Sequence, residues 1–114
     1  MPIDDWRSQM KRGTLEFSVL LMISQGPCYG YEIISRLERR PILAARESTV
    51  YPLLRRLLRL GYLTSCWKES VQGLPPRKYY AVTELGRAYL ADMTGEWESL
   101  LAAINDIKEG AHHG

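Results

Sequence analysis

The stretch from Ser48 to Gly61 carries the side chains best suited to binding chemistry in this sequence. At 100° per residue, its valine and leucines gather on one side of a helix. The other side holds Ser48, Thr49, Tyr51, Pro52, Arg55, Arg56 and Arg59. A surface helix ordinarily mixes acids with bases, but no carboxylate occurs between Ser48 and Gly61. Arginines and hydroxyls on one face suit phosphates and base edges in a major groove, so we predict that this helix binds double-stranded DNA.

The composition places this helix in one small domain with an uneven charge distribution. A chain of 114 residues with 46% hydrophobic residues is long enough to bury one core. The net charge of +2 conceals eight basic against three acidic residues over positions 46–87, and one lysine against five acids from Ala88 onward. We therefore expect the basic middle to meet a polyanion and the acidic end to have another role.

The sequence argues against an enzyme, a cofactor, a metal site and a membrane protein. His112 and His113 are the only histidines, and both lie at the end of the chain, away from any nucleophile or zinc-ligand pattern. Cys28 and Cys66 have no metal-ligand spacing, and no glycine-rich phosphate loop occurs. Without an apolar run that spans a bilayer or a secretory segment at the charged start, we expect a cytoplasmic protein.

The elements around the arginine-bearing helix predict a mostly α fold with a small β-hairpin, of the α+β class. Apolar periodicity predicts helices from residue 14 and over residues 30–39, before the arginine-bearing helix. Aromatic and β-branched residues at 62–68 and 77–82, separated by turn-forming residues, predict a projecting hairpin. Lys68, Arg77 and Lys78 lie on its arms. This order predicts a winged helix-turn-helix.

A long C-terminal helix completes the predicted fold, with Thr83 as its N-cap. Apolar residues recur at alternating spacings of three and four: Leu90, Met93, Trp97, Leu100, Ile104 and Ile107. This heptad seam extends past a compact winged helix, so we expect it to form a homodimer. The predicted division is an arm or short helix at 1–11, the winged helix-turn-helix at 12–82, the dimerisation helix at 83–108 and a disordered tail at 109–114.

Four sequence blocks closely resemble the PadR family of bacterial transcriptional regulators. They are CYGYEI at 28–33, STVYPLLRRL at 48–57, PRKYY at 76–80 and TELG at 83–86. The resemblance covers about Arg12 to Ile107 and implies a homodimeric DNA-binding repressor, usually of detoxification or efflux genes and often of its own promoter. The length places the chain with short members that have one C-terminal helix. Ser48 stands where the family commonly has glycine, and Arg55 where it often has histidine.

Individual residues of the binding face receive separate predicted roles. Ser48, Thr49, Tyr51 and Arg55 lie toward the helix N-terminus, which enters the groove in helix-turn-helix proteins, and are expected to contact base edges and nearby phosphates. Arg56 and Arg59 are expected to clamp phosphates, while Lys68, Arg77 and Lys78 follow the backbone or enter a minor groove. A dimer would read a pseudo-palindromic operator.

The sequence supports two interpretations both of Trp97 and of the basic face. Trp97 is either a dimer-core residue or the centre of a flat apolar slot lined by Trp6, Met93 and Leu100. The resemblance to short members of the family implies a small aromatic effector in such a slot, and Glu96 or Asp92 at its mouth would favour a cation. The basic face binds either DNA or a protein, because a winged helix used as a protein-interaction module would present the same arginines to an acidic partner. Steep salt dependence and preference for an operator over random duplex distinguish DNA binding from that alternative.

Overall fold

The computed structural model describes residues 1–70 and 73–110, so His112 and His113 lie outside the described residues. Its elements are α1 (Pro2–Ser24), β1 (Cys28–Tyr29), α2 (Gly30–Glu38), a 3-10 turn (Pro41–Leu43), α3 (Glu47–Arg59), β2 (Leu63–Lys68), β3 (Arg77–Val82) and α4 (Glu84–Lys108). This architecture confirms the predicted α+β winged helix with a long C-terminal helix. No helix among the described residues has the length and apolarity needed to cross a membrane.

The core lies between α1, α2, α3 and the sheet. Its fully buried side chains are Val19, Leu20, Cys28, Ile33, Leu37, Val50, Leu54 and Leu57. Four apolar residues of α3, Val50, Leu53, Leu54 and Leu57, face this core, as their helical spacing predicts. Leu58 is only partly buried and Leu60 is exposed, because both lie at the edge of that apolar face. The burial of one face fixes which side of α3 is presented to solvent.

The sheet has three antiparallel strands in the order β1-β3-β2. The hairpin of β2 and β3 was predicted, and Leu63 pairs with Val82 at its base while Lys68 pairs with Arg77 at its far end. The strand β1 was not predicted, because two residues are too few to show the alternation by which strands are recognised. Its Cys28 pairs with Tyr80 of β3 and so joins the start of α2 to the hairpin.

The first residues of the chain belong to α1, so the boundary expected at residue 12 is absent. The helix begins at Pro2, where a missing N–H costs little, and continues through Gly13 to Ser24. One glycine inside a helix costs only about 1 kcal/mol, which is too little to end it. The Lys11 Nζ also donates a hydrogen bond to the Ala44 carbonyl at 2.7 Å, which ties this part of α1 to the segment before α3.

The helix α4 is anchored at its start and projects at its end. The predicted N-cap is confirmed, since Thr83 Oγ1 accepts from the Gly86 N–H at 3.0 Å and donates to the Gly61 carbonyl at 2.6 Å. Leu90, predicted to face a second copy, is only 8% exposed and belongs to the chain's own core. It is buried because the first turns of α4 pack on α1 and β3. The apolar surface left for a partner therefore lies further along the helix.

Candidate nucleic-acid interface

The outer face of α3 presents six of the seven predicted binding side chains to solvent. These exposed residues are Ser48, Thr49, Pro52, Arg55, Arg56 and Arg59. Their exposure follows from the burial of the opposite, leucine-bearing face. The nearest acid of the helix is Glu47 in its first turn, where the positive end of the helix dipole favours a carboxylate. The structure thus places a basic, hydroxyl-bearing surface on one rigid element.

A groove between α1 and α3 extends this surface beyond the predicted residues. We call it the arginine groove; it has a volume of about 570 Å³ and is lined by Arg12, Arg55, Arg56 and Arg59 together with Glu16 and Pro52. Sequence reasoning missed Arg12, because nothing local shows that α1 runs beside α3. Within residues 1–70 and 73–110, Arg12, Arg55 and Arg59 form no ion pair. Three cations are therefore available to an external anion.

Arg56 differs from the other arginines because it is already paired. Its Nη2 lies 3.3 Å from Oε1 of Glu16 on α1. The second carboxylate oxygen of Glu16, Oε2, accepts a hydrogen bond from the Tyr89 hydroxyl of α4 at 3.3 Å. Arg56 was predicted to bind DNA phosphates, but in this structure its guanidinium already binds the Glu16 carboxylate.

Tyr51 is half-buried, in contrast to the fully exposed position expected for it. Its ring lies against Gly30 at the start of α2, so closely that a Cβ at Gly30 would sit 2.4 Å from Tyr51 Cε1. Burial, and secondarily the Glu47 carboxylate, raises the pKa of the Tyr51 hydroxyl, which stays protonated at neutral pH. Tyr51 therefore joins α3 to α2, and its hydroxyl can act as a hydrogen-bond donor.

The hairpin places two of its three predicted cations on one face. Lys68 and Arg77 are direct cross-strand partners, an arrangement that like charges make unfavourable. Each cation lies over an aromatic ring, with Lys68 Nζ 4.8 Å from the Tyr79 centroid and Arg77 Cζ 4.4 Å from the Tyr29 centroid. These cation–π contacts hold the two charges at the surface. Within residues 1–70 and 73–110, neither cation forms an ion pair with a carboxylate.

Lys78 lies on the opposite face of the hairpin, apart from Lys68 and Arg77. Side chains alternate along a strand, so Lys78 shares the face of the buried Tyr80 and Val82. Its Nζ lies 5.6 Å from the Tyr80 ring centroid. The three wing cations therefore cannot act as one cluster, and Lys78 is the one on the side of the helices.

The residues predicted for an effector slot are only partly brought together. Trp97 is 39% exposed and its ring centroid lies 6.1 Å from that of Phe17, a residue the prediction did not include. Across the described ranges, no ring contact joins Trp6 to Trp97. Glu96 and Leu100 are exposed beside Trp97, while Met93 packs against the core. The described residues of a single chain thus form an open apolar surface around Trp97.

Most of the chain is similar in sequence and in structure to known proteins. Residues 19–92 match the family described as transcriptional regulator PadR-like. An uncharacterized protein of Lysinibacillus sphaericus is 32% identical, with 91% of this chain and 96% of that protein aligned. The crystal structure of a PadR-like transcriptional regulator from Bacillus cereus is 33% identical with a TM-score of 0.79, covering 87% of this chain and 95% of that one.

A structure that contains DNA is also among the relatives. Bacillus subtilis PadR, solved in complex with operator DNA, is 26% identical with a TM-score of 0.64. The match covers 71% of this chain and 46% of that protein. The matched family is one of transcriptional regulators and not a class of enzymes. Together with the winged helix and its basic face, the family match shows that this chain belongs to the PadR-like family of transcriptional regulators.

Proposed function

We propose that this protein is a sequence-specific DNA-binding repressor whose helix α3 enters the major groove. The observation that carries the proposal is the arginine groove, where Arg12, Arg55 and Arg59 form no ion pair within the described residues. Arginines that form no internal ion pair can meet phosphates without first breaking a contact, and they release counterions when they do so. The complex of Bacillus subtilis PadR with operator DNA supports this assignment.

In this proposal, the position of each residue along α3 determines whether it contacts base edges or the DNA backbone. Ser48 and Thr49 lie in its first turn and Arg55 lies about two turns further on. All three contact base edges, with the Tyr51 hydroxyl as an additional donor. Arg59 lies in the last turn and contacts the backbone, so it contributes affinity that is independent of sequence. Lys68 and Arg77 contact phosphates that flank the major-groove site.

The proposed repressor is a homodimer held by the projecting part of α4. Five large apolar side chains are exposed there, namely Trp97, Leu100, Leu101, Ile104 and Ile107. A continuous apolar strip on a projecting helix is the surface that an antiparallel or crossed partner helix covers. A two-fold axis through this contact presents two α3 helices to half-sites about 34 Å apart in a pseudo-palindrome.

The proposal includes control by a small aromatic effector at the same dimer surface. Trp97 and Leu100 would face their counterparts across the two-fold axis, with Glu96 at the edge to favour a cation and Trp6 available from α1. An effector changes operator affinity only if it binds one arrangement of the dimer better than the other. The regulated genes implied by family membership are those of detoxification or efflux, together with the protein's own promoter.

The experiment that tests DNA binding uses fluorescence anisotropy with two duplexes. One carries the sequence upstream of the protein's own gene and the other is a random duplex of equal length, each titrated at two salt concentrations. We expect tighter binding to the upstream duplex and a steep loss of affinity with salt. Equally weak binding to both duplexes, with little dependence on salt, would favour the protein-interaction module instead.

A further inference from the structure

Glu16 is the only acid that lines the arginine groove among the described residues. Its two carboxylate oxygens bind side chains of two different helices. Oε1 lies 3.3 Å from Arg56 Nη2 of α3, and Oε2 accepts from the Tyr89 hydroxyl of α4 at the same distance. One carboxylate of α1 therefore connects the proposed recognition helix with the C-terminal helix.

The hydrogen bond from Tyr89 fixes where this carboxylate lies. The Tyr89 ring stacks on Tyr62, with centroids 4.2 Å apart and planes inclined by 16°. Burial, followed by the charge and hydrogen bond of Glu16, raises the pKa of the Tyr89 hydroxyl, so it remains a donor at neutral pH. Glu16 is thereby held toward Arg56, with a side chain only 21% exposed.

Arg56 is more accessible than its partner, since its side chain is 46% exposed. A DNA phosphate that approached α3 from the arginine groove would offer Arg56 the same kind of anionic oxygen that Glu16 supplies. Phosphate and carboxylate would compete for one guanidinium, and the carboxylate would in addition repel the phosphate. Arg55 and Arg59 face no such competitor within the described part of the chain.

We propose that Glu16 is an internal competitor of DNA phosphate for Arg56 and so sets the affinity of α3 for duplex DNA. The inference rests on the proposed function and deepens it, because it assigns a weakening role to one residue of the same surface. In the free protein Arg56 is bound to Glu16. In the complex Arg56 turns to a phosphate, so the ion pair between α3 and α1 is lost while Glu16 keeps its hydrogen bond from Tyr89 of α4.

The test is a double-mutant cycle on duplex affinity at low salt. Glu16→Gln keeps the size and hydrogen-bonding capacity of the side chain and removes its charge, and we expect affinity for both operator and random duplex to rise about two- to fivefold. Asp5→Asn is the matched control, since it removes an exposed carboxylate from the same helix outside the groove. It should change affinity less than Glu16→Gln does.

The comparison of two single arginine variants does not depend on the folding of Glu16→Gln. In the otherwise unchanged protein, Arg56→Ala should weaken binding only about twofold, whereas Arg59→Ala should weaken it about tenfold. In the Glu16→Gln background, Arg56→Ala should cost about as much as Arg59→Ala. Equal losses from the two arginines in the unchanged protein, or a lower affinity of Glu16→Gln, would overturn the inference while leaving DNA binding established. Failure of the unchanged protein to bind either duplex would overturn the proposed function as well.

Discussion

At the scale of single residues, the arginines of α3 differ by their partners more than by their position on the helix. Arg55 and Arg59 form no ion pair across residues 1–70 and 73–110, whereas Arg56 is paired with Glu16. Periodicity showed that all three are on the outer face. It could not show the pairing, because Glu16 lies 40 positions earlier in the chain and is brought close only by tertiary packing.

Tyr51 combines two roles that a single substitution can separate. Its ring packs against Gly30, and its hydroxyl is the group available to DNA. We expect Tyr51→Phe to keep the stability of the fold within about 0.5 kcal/mol, because the ring contact remains. The same variant should lose part of the discrimination between operator and random duplex, because one hydrogen bond to a base edge is worth about 0.5–1.5 kcal/mol. Chemical denaturation and anisotropy titrations measure the two effects independently.

The comparison for this prediction is Tyr51→Ala. Loss of the half-buried ring should lower the free energy of unfolding by about 2 kcal/mol, since a large side chain is removed from a partly packed site. If Tyr51→Phe retained full discrimination between the two duplexes, the hydroxyl would have no role in base contact and Tyr51 would be purely structural.

At the scale of elements, local signals predicted most of the fold. The helix that bears the arginines, the strand Arg77–Val82 and the N-cap Thr83 occur where periodicity, turn-forming residues and capping chemistry indicate them. The unbroken α1 was not foreseen, because its continuity through Gly13 is supported by the distant contact of Lys11 with Ala44. The same distinction between local signals and tertiary contacts applies to the candidate site. The sequence predicted the binding residues of α3, but it did not indicate that Arg12 and Glu16 of α1 lie beside them.

The two glycines inside α4 have opposite surroundings, which gives an internal comparison. A Cβ on Gly86 would lie 2.1 Å from the Tyr62 carbonyl oxygen and 2.8 Å from Val82 Cγ1. We expect Gly86→Ala to lower the free energy of unfolding by about 1–3 kcal/mol, because backbone must move to admit the methyl group. Circular dichroism during urea unfolding measures the change.

Gly95→Ala is the matched substitution in the same helix. A Cβ there meets nothing within 4 Å, so only helix propensity changes, and stability should rise by about 0.5–1 kcal/mol. A similar effect of both substitutions would show that the close approach of α4 to Tyr62 does not exist in solution.

At the scale of the whole molecule, the chain is elongated because α4 projects from the winged helix. The principal extents are 64 × 36 × 22 Å. Among the described residues, the five large apolar side chains from Trp97 to Ile107 on the projecting part are between 39% and 80% exposed. A monomer with such an exposed strip is prone to association, which supports the proposed dimer.

A glutamate introduced into this apolar strip should prevent dimerisation without preventing the chain from folding. We expect Leu100→Glu and Ile104→Glu each to yield monomers, because a buried pair of like charges would form at a two-fold contact. The monomers should lose DNA affinity at the same time, since one half-site is then bound alone. Sedimentation velocity and anisotropy on the same samples test both expectations.

The control for these variants is Leu85→Glu. Leu85 is also an exposed leucine of α4, but it lies in the first turn, outside the projecting strip. It should leave the oligomeric state unchanged. Dimers that persist in Leu100→Glu and Ile104→Glu would place the subunit contact elsewhere on the molecule.

The most direct test of the central claim is the salt dependence of duplex binding for Arg59→Ala and for Arg87→Ala, an exposed arginine of α4 outside the arginine groove. If α3 lies against the phosphates, Arg59→Ala should reduce the slope of log affinity against log salt by about 0.9, equally for operator and random duplex. Arg87→Ala should keep the unchanged protein's slope. Identical slopes for all three proteins would contradict the account, because the arginine groove would then have no part in DNA binding.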